Sequence, residues 1–207
     1  MMIIGLTGGI ASGKSTVSSI LKQFGAYIID VDEVGRSVVQ KGEKAYNEIV
    51  QYFGDEILLP RGEINRKALG HIVFSDGEKL RKLNSITHPN IIGKVKEIIE
   101  EFRADGAEVI VIDAAILIEM GLNSLCDSVW LVSVDKQTQL HRLIERDRFS
   151  YEDAQNRINA QFSDEKKAEH SDVIIYNTKG LEELKEEIKQ LWHTALSTVK
   201  RGETVDQ

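Results

Sequence analysis

The sequence predicts an α/β fold in which a five-stranded parallel sheet is covered by helices on both faces, and three observations predict it. Short β-branched runs alternate with helical patterns, a glycine-rich turn joins the first run to the first helix, and one connection is far too long to be a loop. Parallel strands buried on both faces read as near-continuous apolar runs, as these do. The runs are Met2 to Thr7, Tyr27 to Asp30, Val109 to Asp113, Ser128 to Val134 and Asp172 to Tyr176.

The first helix runs from the glycine-rich turn to about Phe24, because Val17, Ile20, Leu21 and Phe24 share one face and Gly25 supplies a C-terminal stop. Leu181, Leu184, Ile188, Leu191, Trp192 and Ala195 recur at helical spacing and predict a last helix that packs back on the sheet. Between the second and third strands no strong strand signal occurs, which predicts an inserted helical subdomain over 35–106. Its clearest element is expected to start at Pro89, a residue favoured in the first turn, and to end at Gly106.

The charged segment 135–168 separates the fourth and fifth strands. Ser150 and Asp153 form a capping pair there, so two helices are expected around a turn near Phe149, and such a segment can move as a lid. The organisation read from the chain is one domain over 1–207. Its core comprises 1–34, 107–134 and 169–199, with a frayed polar tail over 200–207.

With 207 residues, 42% apolar and 29% charged, the chain has the composition of an ordinary globular protein with room for one packed core plus insertions. The net charge of −7 argues against a protein that tracks along nucleic acid, which needs a basic face. The single cysteine, Cys126, excludes an internal disulfide and reads as a small buried apolar residue. The segment Met1 to Thr7 lacks the features of a signal peptide, and no run reaches the roughly 18 apolar residues of a membrane helix. The expected setting is the cytoplasm, with small-molecule substrates, no nucleic acid and no membrane.

Gly8-Gly9-Ile10-Ala11-Ser12-Gly13-Lys14-Ser15 fits G-x-x-x-x-G-K-[ST] after an apolar strand and before an amphipathic helix, the context this phosphate-binding loop requires. Its glycines let the backbone wrap phosphate oxygens, and its N–H groups and the helix N-terminus supply positive potential. Lys14 reaches the outer phosphates, Ser15 can ligate Mg²⁺, and Thr16 can meet an inner phosphate. The loop implies ATP or another triphosphate but leaves the acceptor open, because kinases, GTPases and mechanical ATPases share it.

Asp30 and Asp32 stand at the end of the second strand, two residues apart, so an extended backbone would direct both side chains to one face. Strand C-termini line the ligand crevice of such a sheet, and a carboxylate there can take the proton of an attacking hydroxyl. Asp32 is the preferred base and Asp30 is assigned to the metal shell, with the reverse order left open; the alternative for the pair is a loop acid that caps the next helix. Asp113, which ends the third apolar run, suits Mg²⁺ directly or through water. Glu119, further on, reads as a second acid of this region or as a plain turn residue.

Arg142 and Arg146 lie four apart on one expected helix and can clamp phosphate oxygens. Arg157 and Gln161 repeat the spacing on the next short helix, with Lys166 and Lys167 beyond. A closing lid would exclude water from bound ATP.

Gly5-Leu6-Thr7-Gly8-Gly9-Ile10, Asp30-Val31-Asp32, Arg66 to Phe74, Thr87-His88-Pro89, Asp113 to Glu119 with Gly121-Leu122, and Arg157 to Gln161 together resemble dephospho-CoA kinase, from about Ile3 to Leu191. The resemblance implies a P-loop, nucleoside-monophosphate-kinase-like fold with a helical CoA-binding domain and a lid. It also implies transfer of phosphate from ATP to the ribose 3′-hydroxyl of dephospho-CoA, the last step of coenzyme A synthesis. By resemblance Asp32 is the catalytic base, with Lys14 and Arg142 beside it. Gly8, Gly9, Ala11, Ser12, Gly13, Lys14, Ser15, Thr16, Arg142, Arg146 and Asn177 would then bind the nucleotide. Asp32, Arg66, His88, Arg157 and Gln161 would bind the acceptor, and Ser15 and Asp113 the metal.

Two departures stand out. Ala115 replaces a common proline, which changes stiffness rather than chemistry. Ala11 replaces a common glycine at a position outside the fixed glycines of the motif, where alanine is expected to be tolerated. Another small-molecule or nucleotide kinase on the same scaffold, or a nucleotide-dependent switch, are the rival readings.

Overall fold

Val109, Ile110, Val111, Ile112 and Asp113 are all buried, as a strand inside a parallel sheet requires. A computed structural model of the chain describes residues 1–148, 150–159, 161–178 and 180–202; the side chains of Phe74, Arg146, Asp147 and Arg201 are outside the described set. Five strands form one sheet: β1 (Met2–Gly8), β2 (Tyr27–Asp30), β3 (Val109–Asp113), β4 (Ser128–Ser133) and β5 (Val173–Tyr176). The helices are α1 (Lys14–Gln23), α2 (Val31–Ser37), α3 (Lys44–Phe53), α4 (Arg66–Phe74), α5 (Gly77–Ala104), α6 (Lys136–Asp147), α7 (Tyr151–Asn159), α8 (Asp164–Ala168) and α9 (Leu181–Gly202).

The strand order is β2-β3-β1-β4-β5, and the sheet is parallel with flanking helices, as the alternating pattern predicts. Leu6 of β1 is in register with Asp113 of β3 and with Trp130 of β4, so these three strands finish at one edge of the sheet. The glycine-rich turn leaves β1 at that edge, and Asp113 ends β3 beside it.

Two compact units partition the chain. The first, Met1–Ile29 with Glu101–Gln207, has a core of Ile4, Leu6, Val111, Trp130 and Val132 packed against Val17, Ile20 and Leu21 of α1 and Leu184, Ile188 and Trp192 of α9. The helical spacing of those residues is therefore the imprint of burial. The second, Asp30–Glu100, is helical, with its own core of Ala45, Ile49 and Phe53 from α3, Ile57 from the 3-10 turn that follows it, Leu69 and Val73 from α4, and Ile86 from α5.

Four local expectations are corrected. Pro89 does not open a helix but lies inside the 28-residue α5, which begins at Gly77. A proline there withholds the N–H that the Ser85 carbonyl would accept. Side chains bridge the neighbouring turns instead: Thr87 Oγ1 donates to Leu83 O at 3.0 Å and Asn90 Nδ2 to Ile86 O at 2.7 Å. Ile86 before the proline and Ile91, Val95 and Ile99 after it are buried, so packing carries the helix through.

Asp32 is not extended alongside Asp30. The strand ends at Asp30, whose carboxylate accepts the Glu33 N–H at 3.0 Å and caps α2, which places Asp32 in the first helical turn. Segment 135–168 holds three described helices rather than two, because Ser163 caps the short α8; the turn expected near Phe149 lies outside the described residues at that position. Ser150 and Asp153 do cap one another at the start of α7, with Asp153 N donating to Ser150 Oγ at 3.1 Å. The tail is helical as far as Gly202, where α9 ends; the rest of the expected frayed tail, 203–207, is outside the described residues.

Candidate active site

The phosphate turn is shaped by close approach as much as by flexibility. Gly13 adopts φ +93°, and a Cβ there would fall 2.0 Å from Asn177 Nδ2. At Gly8 a Cβ would meet Val132 O at 2.5 Å, so any side chain would push β1 from β4. The turn closes on itself through Ser12 N to Gly9 O at 3.0 Å and Thr16 N to Gly13 O at 2.9 Å. The helix that follows has no side-chain cap and no acid in its first turn. Its leading N–H groups therefore meet no competing carboxylate from their own helix, the arrangement that favours an oxyanion.

Ala11 sits at φ 61°, in the left-handed region, so the expectation that alanine is simply tolerated is corrected: this position favours glycine for conformational reasons, and the Cβ carries strain. Ser12 is fully buried, and its hydroxyl has no hydrogen-bond partner among the described residues.

Lys14 and Asp113 form an ion pair whose side chains are 16% and 10% exposed. The lysine is thus held at the end of β3, one strand over from its own loop. Ser15 and Thr16 occupy the first turn of α1, with Ser15 exposed.

Arg142, on α6, reaches under the turn. Its Nη1 donates to Ala11 O at 3.1 Å and Ser12 O at 3.3 Å, and its Nη2 to Asn177 O at 3.4 Å. Asn177, just past β5, donates from Nδ2 to Ser12 O at 2.8 Å. Two residues chosen for nucleotide contacts therefore grip loop carbonyls. Arg146, one turn beyond Arg142, has its side chain outside the described residues.

Gln161 is not on a helix with Arg157: α7 ends at Asn159. Freed of helical geometry, Gln161 turns its Oε1 to accept the Ile10 N–H at 3.0 Å. Arg157 is an exposed residue near the end of α7. A cavity of about 470 Å³ opens beside the turn, lined by Gly9, Ile10, Gln139, Gln161, Asp164 and Tyr176 among others.

Two residues of this unit, Lys167 and Glu119, make a contact that the sequence reading did not assign to them. Lys167, read from the sequence as part of the basic lid, is fully buried; its Nζ donates to Ala115 O at 2.5 Å and lies 3.5 Å from Glu119 Oε1. Burial pushes the Lys167 ammonium below the ordinary lysine range, and Glu119 opposes that shift. Glu119 Oε1 also accepts the Phe162 N–H at 3.0 Å. Ala115 contributes through its carbonyl, so the missing proline ring removes no contact of this network. Cys126 is inert: burial, then Asp127, push its thiol up to about 12.

The remaining candidates belong to the helical unit. Asp32 is exposed in the first turn of α2. Arg66 opens α4 after the Asn65 cap, donates to Arg36 O at 3.4 Å, and lines a cavity of about 650 Å³ with Glu33, Arg36, Lys41 and Glu63. His88 lies half-buried in α5, where burial holds its imidazole below the usual value.

No helix among the described residues is long and apolar enough to cross a membrane. Comparison with known proteins gives one consistent result. Residues 2–183 match the family described as CoaE, dephospho-CoA kinase. A dephospho-CoA kinase of Geobacter sulfurreducens is 47% identical over 192 residues, covering 93% of this chain and 98% of that protein. The crystal structure of TT1252 from Thermus thermophilus is similar at a TM-score of 0.79 and 29% identity, covering 93% of this chain and 97% of that one. A dephospho-CoA kinase from Campylobacter jejuni is similar at a TM-score of 0.72 and 26% identity, covering 95% and 98%. A match spanning nearly the whole chain, on a fold carrying the phosphate turn, places the chain in the dephospho-CoA kinase family.

Proposed function

We propose that this chain phosphorylates dephospho-CoA with ATP, forming CoA and ADP in coenzyme A biosynthesis, with the ribose 3′-hydroxyl as acceptor. The observation that carries the donor half is the phosphate turn: an uncapped helix N-terminus, a Gly13 that admits no side chain, and Lys14 anchored at the end of β3.

In this reading the N–H groups of the turn hold the triphosphate, and Lys14 transfers part of its attention from Asp113 to the outer phosphates. Arg142 and Asn177 keep the loop carbonyls turned away from the anion. Ser15 and Asp113 offer hard oxygen donors of the kind Mg²⁺ takes, and two such donors suit an ion that shares phosphate oxygens. Bound there, Mg²⁺ would neutralise charge on the phosphates. Asp32 serves as the base: Asp30 is occupied as a cap, which leaves Asp32, exposed in the first turn of α2, as the acid of the pair that does not cap the helix. The 3′-oxygen forms a bond to the γ-phosphorus as the bond to the β,γ-bridging oxygen breaks. Its proton passes to Asp32 and then to solvent, and ADP departs.

Segment 35–106, with Arg66 and His88, is assigned to the acceptor, and segment 135–168, with Arg142, Arg146, Arg157 and Gln161, to a lid that excludes water. The cytoplasm is the proposed setting. ADP release measured across a panel of acceptors tests the assignment: dephospho-CoA should dominate, and stronger release with a nucleotide or a sugar acid would overturn it.

A further inference from the structure

Lys167 stands out because an ammonium is buried where an apolar side chain would avoid the cost of desolvating a charge. Its contacts form a connected path. From α8 its Nζ bonds Ala115 O, to which Thr7 Oγ1 of β1 also donates at 3.2 Å. The same ammonium faces Glu119 Oε1, and that oxygen accepts the Phe162 N–H. The next residue back is Gln161, whose Oε1 holds the Ile10 N–H inside the phosphate turn. Asp164, at the start of α8, accepts from Ser133 Oγ at 2.6 Å and ties the other end of this turn to β4.

Two consequences follow from that path. Glu119 turns one oxygen, Oε1, to both Phe162 N and Lys167 Nζ, so the lysine helps fix the orientation of the carboxyl group. With Glu119 fixed, the backbone is tethered at Phe162 N, and the adjacent Gln161 meets Ile10 from there.

We propose that Lys167 is a positioning residue for the nucleotide: through Glu119 it sets the 161–163 turn, so that Gln161 braces the entry of the phosphate turn at Ile10. The inference rests on reading the chain as an ATP-dependent kinase. Removing the brace from Lys167, which is not among the residues assigned to the acceptor, should loosen the loop that carries the triphosphate, so ATP affinity falls and acceptor affinity does not.

The test uses the full-length protein with Gln161→Ala, Lys167→Met and the double variant. Steady-state KM for ATP and for dephospho-CoA is measured, together with ATP affinity by calorimetry without acceptor. Each single variant should weaken ATP binding roughly tenfold, and Lys167→Met, which changes no residue assigned to the acceptor, should leave KM for dephospho-CoA within about twofold. The double variant should be no weaker than the worse single, because both act on one brace. Wild-type ATP affinity in either single variant, or multiplied losses in the double, would overturn the inference. If Lys167→Met does not fold, Gln161→Ala decides alone, since it leaves the buried pair intact. Calorimetry reads the brace whatever the acceptor, so absence of dephospho-CoA turnover in the wild type would defeat the functional reading without touching this one.

Discussion

The ammonium of Lys14 meets the carboxylate of Asp113, so the lysine of the phosphate turn is anchored at the C-terminal end of the neighbouring strand β3. The pair is mostly shielded from water, which strengthens it and orients the lysine along the sheet edge.

Lys14→Met should lower kcat by on the order of 10²–10³, the loss typical of one charge-stabilising donor. Asp113→Asn should lower turnover too, and should raise the Mg²⁺ concentration needed for half-maximal rate. Steady-state kinetics at varied Mg²⁺ checks both. An unchanged Mg²⁺ requirement in Asp113→Asn would remove that residue from the metal site.

The two acids at the end of β2 separate by role. Asp32→Asn should cut kcat by roughly 10²–10⁴ with ATP affinity nearly intact, the range for a lost general base. Asp30→Ala should cost about 1 kcal/mol of stability through the lost cap and far less turnover. Comparing kcat and denaturant midpoints for the two variants settles the order; wild-type turnover in Asp32→Asn would make the base assignment wrong.

Ala11 holds φ 61°. Relief of left-handed strain outweighs the added freedom of glycine in the unfolded chain, so Ala11→Gly should stabilise the protein by about 0.5–1 kcal/mol. A denaturant melt reads this directly, and a destabilised variant would show that the turn does not strain alanine.

His88 gives a pH dependence of defined sign. Burial lowers its folded value below 6.5, so as pH falls the unfolded chain takes up the proton first. The stability that neutral His88 contributes is full above the unfolded value and is lost as pH falls through the folded one. Chemical denaturation above and below pH ~6.5 should show that decline, and His88→Gln should flatten it. Equal pH slopes in both proteins would contradict the burial argument.

The sheet was legible because Val109-Ile110-Val111-Ile112 and its counterparts are buried on both faces and leave no room for polar residues. The phosphate turn was legible because its glycines answer to backbone approach. Pro89 misled because the signal for a first turn is local, whereas Ile86 and Ile91 keep α5 intact by packing. Asp32 left the strand face because one capping bond at Asp30 starts a helix a residue earlier than extended geometry allows. Lys167 could not be recognised: its burial arises where α8 meets the loop after β3, 52 residues away from its partner Ala115.

Phosphorus NMR of the reaction of wild-type protein with ATP and dephospho-CoA tests the central claim most directly. The account predicts a new phosphomonoester on the ribose 3′-oxygen, appearing in step with ADP as dephospho-CoA is consumed. Release of inorganic phosphate with dephospho-CoA untouched, or a phosphoryl group at another position, would contradict it.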